Sequence, residues 1–366
     1  HIWPYIKECF TNWTMRFLAA GRPAGTAERL GRQIMRPHSL QTMTERRIRY
    51  LARSGDPLAE DAPNVIRNFT RSPKRISTLY VYDKRGTELF ERQCGTPEYY
   101  LRRVETQLLH RHAGDIAASC GFPPIVELGA GTAEKTKILL AEYAVRALRC
   151  DYFPIDVDME TLAESARRLI SVFPFLFVHC LGATYEKGLS ALPPCPGSRM
   201  FVFLGSSLGN MERREIDGLL LQLFEHGAPG DFLVLGTDLD KDPAVIDRAY
   251  NDSAGFGPRS TLNMLDHLNR RYAGNFVMDN FRYRSNYDSL ERRNDVRIES
   301  LVDQTVTLAS LNFEVSFGTA ELIDAEVMWK FDPDELADIL ERAGFSLMRR
   351  WIEPVYRYGL FLFIHQ

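Results

Sequence analysis

Between residues 124 and 238, short apolar runs alternate with amphipathic stretches of helical length, and this rhythm constrains the chain more than any other feature. Pro124–Gly129, Cys150–Asp156, Phe175–Cys180, Arg199–Gly205 and Asp231–Asp238 read as buried strands. Glu105–Cys120, Glu134–Ala147, Met159–Val172 and Arg213–His226 read as helices before and between them. Strands and helices alternating at these lengths form β-α-β units on a parallel sheet. Ligands on such sheets bind at the carboxyl ends of the strands, near the point where strand order reverses. The segments to inspect are therefore Glu127–Lys135, Asp156–Asp158, Gly205–Asn210 and Gly236–Asp242.

After residue 242 the rhythm breaks. Helices near Ala244–Ser253 and Thr261–Ala273 precede alternating segments at Arg297–Val302, Thr305–Leu308 and Phe313–Phe317, a mixed and mostly antiparallel unit. A helix at Pro333–Ala343 and an apolar strand at Tyr358–Ile364 restore the earlier character. The expected class is α/β, a Rossmann-type domain interrupted by an α+β domain that faces the substrate. The core would comprise residues 104–242 and 331–366, and the substrate-binding domain 61–103 and 243–330. Residues 1–60 read as an arginine-rich, helical N-terminal extension with no assignable chemistry.

Composition removes several classes of function. A chain of 366 residues with 45% hydrophobic content can bury a core without metal or disulfide staples. A formal net charge of -3 gives no global attraction to nucleic acid or to an anionic membrane. The apolar runs are too short to span a bilayer, and the N-terminus lacks the layout of a signal peptide. The six cysteines have no C-x-x-C pair and no nearby histidine at ligand spacing, so no metal is expected. These features fit reduced thiols in a cytoplasmic protein with no nucleic-acid or membrane partner, and they leave its oligomeric state open.

The loop Val126-Glu-Leu-Gly-Ala-Gly-Thr-Ala-Glu-Lys-Thr is the most informative stretch. Gly129 and Gly131, placed after a buried strand, allow a sharp turn and close approach to a ligand. A dinucleotide fingerprint requires a third glycine where Glu134 stands, and the same residue breaks a phosphate loop before Lys135-Thr136. S-adenosylmethionine has no phosphate and carries a cationic sulfur. Glu127 before the loop and Asp156 at the next strand end suit it, since Asp156 can accept hydrogen bonds from ribose hydroxyls. A tight strand-to-helix turn without a ligand is the bland alternative.

Several blocks in order resemble the histidine Nα-methyltransferases of ergothioneine biosynthesis. They include Tyr82-Asp83 with Gly86, Thr96-Pro-Glu-Tyr-Tyr, the glycine loop, Pro154-Ile-Asp-Val-Asp, Phe203-Leu-Gly-Ser-Ser-Leu-Gly-Asn, Leu235-Gly-Thr-Asp-Leu-Asp-Lys-Asp, Ala249-Tyr-Asn-Asp-Ser-Ala-Gly and Glu326-Val-Met-Trp-Lys-Phe. The resemblance runs from about residue 75 to the C-terminus. It implies a Rossmann-type methyltransferase domain, S-adenosylmethionine as cofactor and a small amino acid as substrate. By position, Gly129, Lys135 and Asp156 would contact the methyl donor. Asn210 and Tyr250 would hold the substrate's carboxylate and amine, Tyr82 and Tyr99 would line the amine side as the catalytic pair, and Glu326 would bond an imidazole ring.

Bland readings stand beside these roles. Tyr99 and Tyr100 suit core aromatics, and Asn210 suits a helix cap. Glu326 in an apolar segment requires a partner. Three positions depart from the family pattern. Met328 replaces a serine expected two residues after Glu326, and Ser300 stands where a methionine is expected, which suggests an exchange across the pocket. Thr184 replaces an aspartate expected at adenine. Three functions follow in order: Nα-methylation of histidine, possible up to the trimethylated betaine; the same chemistry on tryptophan or a modified amino acid, motivated by Met328; and a non-catalytic cofactor-binding module, motivated by Thr184.

Overall fold

The computed structural model describes residues 47–53, 58, 59, 61–144 and 149–366. Its elements in chain order are β1 (Ile48–Arg53), α1 (Ala62–Thr70), β2 (Lys74–Arg75), α2 (Lys84–Cys94), α3 (Leu101–Cys120), β3 (Ile125–Leu128), α4 (Thr136–Tyr143), β4 (Cys150–Asp156), α5 (Met159–Val172), β5 (Leu176–Gly182), α6 (Tyr185–Ser190), β6 (Met200–Phe203), α7 (Arg213–His226) and β7 (Phe232–Asp238). They continue with α8 (Pro243–Tyr250), α9 (Phe256–Tyr272), β8 (Phe281–Asp288), β9 (Arg293–Ser300), β10 (Gln304–Leu308), β11 (Phe313–Phe317), β12 (Leu322–Trp329), α10 (Pro333–Arg342), β13 (Phe345–Ile352) and β14 (Tyr358–His365).

An eight-stranded sheet runs in the order β1-β5-β4-β3-β6-β7-β14-β13. Strands β1, β5, β4, β3, β6 and β7 are parallel, whereas β14 enters antiparallel between β7 and β13. Strand order reverses at β3, so the glycine loop leaves the sheet at its switch point. Successive residues of β3 alternate in direction. Ile125 packs into the layer of Leu108, Leu109 and Ile116 from α3, with Leu139 and Leu140 from α4. Val126 and Leu128 pack into the opposite layer, with Leu219, Leu220 and Leu223 of α7 and Leu336 and Leu340 of α10.

A second sheet, β2-β12-β9-β8, and the hairpin β10-β11 follow in space. The two sheets meet where Leu239, just beyond β7, bridges Phe331, just beyond β12. The second sheet therefore delivers its residues to the carboxyl ends of the first. Helix ends are fixed by local chemistry. Asp158 accepts from the backbone N–H groups of Glu160 and Thr161, and Asp332 accepts from those of Asp334 and Glu335 with Pro333 at the first turn.

Most of the 1–60 extension lies outside the described residues. Within the described part, Ile48–Arg53 is an edge strand paired in parallel with β5, where a helix was expected. Its Tyr50 and Leu51 remain exposed, so pairing with β5, rather than burial of a face, holds it extended.

Candidate active site

The glycine loop is built as its sequence requires. Gly129 and Gly131 take left-handed φ values of 69° and 47°. The N–H of Gly131 donates to Asp156 Oδ2 at 2.8 Å, and the other oxygen of Asp156 accepts from the N–H of Asp158 at 3.0 Å. Asp156 thus ends β4 and ties it to the loop after β3. Tyr185, which no sequence pattern singled out, also stands here: a Cβ on Gly129 would lie 3.0 Å from its hydroxyl. Gly129→Ala combines a left-handed backbone with this contact. It should cost about 1–2 kcal/mol of stability and lower affinity for the demethylated cofactor product roughly 10-fold. Thermal melting and calorimetric titration would measure the two effects.

Two loop residues have different surroundings from those expected. Glu127 turns inward instead of opening onto a ligand. It accepts from the hydroxyls of Thr136 and Tyr152, and burial pushes its carboxyl up to about 7. It therefore braces the start of α4 from beneath the loop. Lys135 Nζ donates to Glu105 Oε2 at 2.8 Å. Glu105 is 1 % exposed and also accepts from the N–H of Gly205 and the hydroxyl of Tyr358, each at 2.7 Å. Its signal was present in the sequence, a carboxylate on the apolar helix face of Leu101, Leu108 and Leu109. Thr184 is exposed at the end of β5 and precedes Tyr185.

The other wall carries the tyrosines and Glu326. A short 3-10 turn, Thr78–Val81, leads into Tyr82, and Asp83 then caps α2 through the N–H of Gly86 at 2.7 Å. Asn263 and Arg270 of α9 donate to the same Asp83, which locks this segment against α9. Edge-to-face contacts run from Tyr82 to Phe90 (6.5 Å), to Tyr99 (6.0 Å) and to Tyr250 (6.3 Å). Tyr82 is 57 % exposed, as a cleft wall would be. Crowding by protein, then the charges of Glu326, Tyr185 and Asp156, hold its phenol above the usual range.

Glu326 reaches this position through a β-bulge. Asp324 pairs with Arg297, but Glu326 pairs with Val296, leaving Ala325 as the extra residue. The bulge moves Glu326 off the outer face of Asp324 and onto the inner face of Ile323 and Met328. There Thr261 Oγ1 donates to it at 3.4 Å, and burial pushes its carboxyl up to about 7. Among the described residues it forms no ion pair. Asn210 ends the 3-10 turn Ser207–Asn210 and is not the cap of α7. That cap is Glu212, whose N–H donates to Glu215 at 2.7 Å. The helix-cap reading of Asn210 is thereby removed.

The sequence profile of the histidine-specific, S-adenosylmethionine-dependent methyltransferases matches residues 60–365. This chain belongs to that family. It is 34% identical to the histidine N-alpha-methyltransferase of Mycolicibacterium smegmatis, over 86% of this chain and 97% of that protein. It is 34% identical to ergothioneine biosynthesis protein 1 of Neurospora crassa, over 54% of this chain and 23% of that protein. Against the 4-dimethylallyltryptophan N-methyltransferase of Claviceps purpurea, identity is 27% over 51% of this chain and 57% of that protein.

As a member of this family the chain is an S-adenosylmethionine-dependent methyltransferase, and its loop fits the cofactor. A Cβ on Gly131 would meet nothing within 4 Å, so space is open above the loop. Lys135 is neutralised by Glu105 and so is not a free cation for a phosphate. Among the described residues there is no cluster of three or more His, Cys, Asp or Glu suited to a metal. No helix among them is long and apolar enough to cross a membrane.

The expected exchange of Ser300 and Met328 across a pocket is overturned. Met328 pairs with Asn294, whereas Ser300 lies six positions further along β9, at the far end of the strand. Ser300 Oγ donates to the carbonyl of Val302 at 2.9 Å and accepts from Gln304 at 2.7 Å, so it shapes a turn. The polar neighbour of Met328 is Asn294, whose amide donates to the sulfur at 3.8 Å.

The raised carboxyl of Glu326 gives a pH prediction. Between about 4.5 and about 7 the unfolded chain has released this proton while the folded chain still holds it. Stability of the unliganded enzyme therefore falls as pH rises through that window. The Tm should drop by a few degrees from pH 5 to 7.5, and Glu326→Gln should flatten the decline in a scanning calorimeter. An unchanged profile in the variant would count against a burial-raised carboxyl.

Proposed function

We propose that this enzyme transfers methyl groups to the α-amino nitrogen of free histidine, up to the trimethylated betaine, in a cytoplasmic setting. The observation that carries the reading is the row of edge-to-face aromatics Tyr82–Phe90–Tyr99–Tyr250, which brings the expected amine-side tyrosines and the expected carboxylate-holding tyrosine together. Family membership and the named activity of the mycobacterial relative support histidine as the substrate.

When bound, S-adenosylmethionine supplies an electrophilic methyl group. The chain's residues orient the amine and leave its lone pair free. The phenols of Tyr82 and Tyr99 are protonated at neutral pH, as an ordinary phenol is, and crowding by protein raises both further. They therefore act as hydrogen-bond partners rather than strong bases, and the amine proton leaves to water along the exposed side of Tyr82. Asn210 and Tyr250 hold the carboxylate, and Glu326 accepts from a ring N–H. Alignment of amine and methyl group then provides most of the acceleration.

Met328 favours a second reading. Its apolar side chain beside Glu326 also suits an indole, so tryptophan or a modified tryptophan is the alternative substrate. The test is calorimetric titration of histidine and tryptophan into enzyme saturated with the demethylated cofactor product, followed by mass spectrometry of turnover. Histidine binding with mass gains in single-methyl steps is the expected result. Turnover of tryptophan but not histidine would transfer the function to the second reading. Turnover of no free amino acid would sink both.

A further inference from the structure

Asp238 closes β7 and is fully buried at 0 % exposure. It accepts from Tyr100 Oη at 2.7 Å, from Lys330 Nζ at 2.9 Å and from Lys241 Nζ. Lys330, just beyond β12, is 1 % exposed. Among the described residues no other carboxylate pairs with either lysine. Two ammonium groups therefore share one carboxylate, and the cluster holds one surplus positive charge out of water. Such a charge is costly unless another group compensates it.

Lys330 makes a second contact, donating to Tyr250 Oη at 2.7 Å. An ammonium has only donors, so the Tyr250 oxygen must accept and its own proton must point elsewhere. Among the described residues nothing accepts that proton. The Tyr250 ring meets Tyr99 edge-on, and its hydroxyl also feels the charge of Glu326, so it borders the cleft. Glu326 pairs with neither lysine. A buried cation thus stands behind a hydroxyl whose donor is unused.

We propose that Lys330, braced by Asp238, is a positioning residue that fixes the Tyr250 hydroxyl as a donor to the substrate's α-carboxylate, and that this carboxylate is the counter-ion of the surplus buried charge. The inference rests on the amino-acid reading given above and adds a rule of selection. The enzyme takes α-amino acids with a free carboxylate and rejects the corresponding amides and decarboxylated amines. The discrimination originates in a charge that does not itself touch the substrate.

The test compares histidine with histidinamide on wild type, Lys330→Met, Tyr250→Phe and the double variant. Lys330→Met leaves Asp238 paired with Lys241 and Tyr100, so no orphan carboxylate remains in the core. Its KM for histidine should rise roughly 10- to 100-fold, with kcat at saturation and affinity for the demethylated cofactor product within about 3-fold of wild type. The histidine-to-histidinamide preference should collapse in Lys330→Met, and adding Lys330→Met to Tyr250→Phe should cause little further loss, because the two act as one unit. A Lys330→Met variant that keeps the wild-type preference overturns the inference while leaving the amino-acid reading standing. Parallel losses of kcat, cofactor-product affinity and melting temperature with that preference intact would likewise reduce Lys330 to a structural role. A wild-type enzyme that binds no free amino acid overturns both.

Discussion

Replacing Glu105 with alanine should lower the stability of the enzyme by about 3–5 kcal/mol, the usual cost of breaking a buried pair from one side. Glu105 is the one carboxylate that joins α3, the end of the glycine loop, the end of β6 and β14, through Lys135, the N–H of Gly205 and the hydroxyl of Tyr358. Its removal leaves an ammonium, an amide and a phenol without their acceptor. The space is closely filled, since a Cβ on Gly236 of β7 would overlap the carboxylate. Relaxation into the vacated site is therefore restricted, which argues for the upper part of the range. Affinity for the demethylated cofactor product should fall as well, because Lys135 closes the loop. Glu105→Gln keeps the shape and should cost less. Urea unfolding measures the first effect and calorimetric titration the second. A midpoint for Glu105→Ala equal to that of wild type would show that the three donors find other partners.

The parallel half of the fold was legible because its strands are short apolar runs and its helices have a 3.6-residue period. The glycine loop and Asp156 followed from the same pattern, since a sheet of this kind binds at its strand ends. The second sheet was harder to read. Phe281, Tyr283, Ser285 and Tyr287 do alternate with Arg282, Arg284 and Asn286 along β8, so a period-two signal was available there. Strand β1 has no such signal and exists through its pairing with β5. The direction of Glu326 depends on a bulge at Ala325, and no residue type at that position announces one. The misplaced exchange of Ser300 and Met328 has the same origin, because register cannot be counted across an unread strand pairing. Tyr82, Tyr99, Asn210 and Tyr250 came from blocks resembling a family, not from periodicity. Their surroundings had to come from tertiary structure. Lys330 did leave a trace, as a charge between Trp329 and Phe331 at the end of an apolar strand.

Glu326→Leu should lower histidine affinity by roughly 10- to 150-fold, the range expected when a hydrogen bond to a charged group is lost. The carboxylate lacks strong partners among the described residues. Its bond from Thr261 is long at 3.4 Å, and no cation pairs with it among the described residues. Burial nevertheless holds the group far above an ordinary glutamate, at about 7. An acid kept under these conditions gains from a ligand N–H, and that gain disappears with leucine. Glu326→Gln retains an acceptor oxygen but no charge, so it should fall between wild type and Glu326→Leu. Cofactor-product affinity should remain unchanged in both, since Glu326 lies on the second sheet and the glycine loop on the first. Leucine beside Met328 would also extend the apolar floor of the cleft, so tryptophan should compete better in this variant than in wild type. The measurement is titration of both amino acids into enzyme saturated with the demethylated cofactor product. Unchanged histidine affinity in Glu326→Leu would place the substrate ring elsewhere, and the bulge at Ala325 would then need a purely structural explanation.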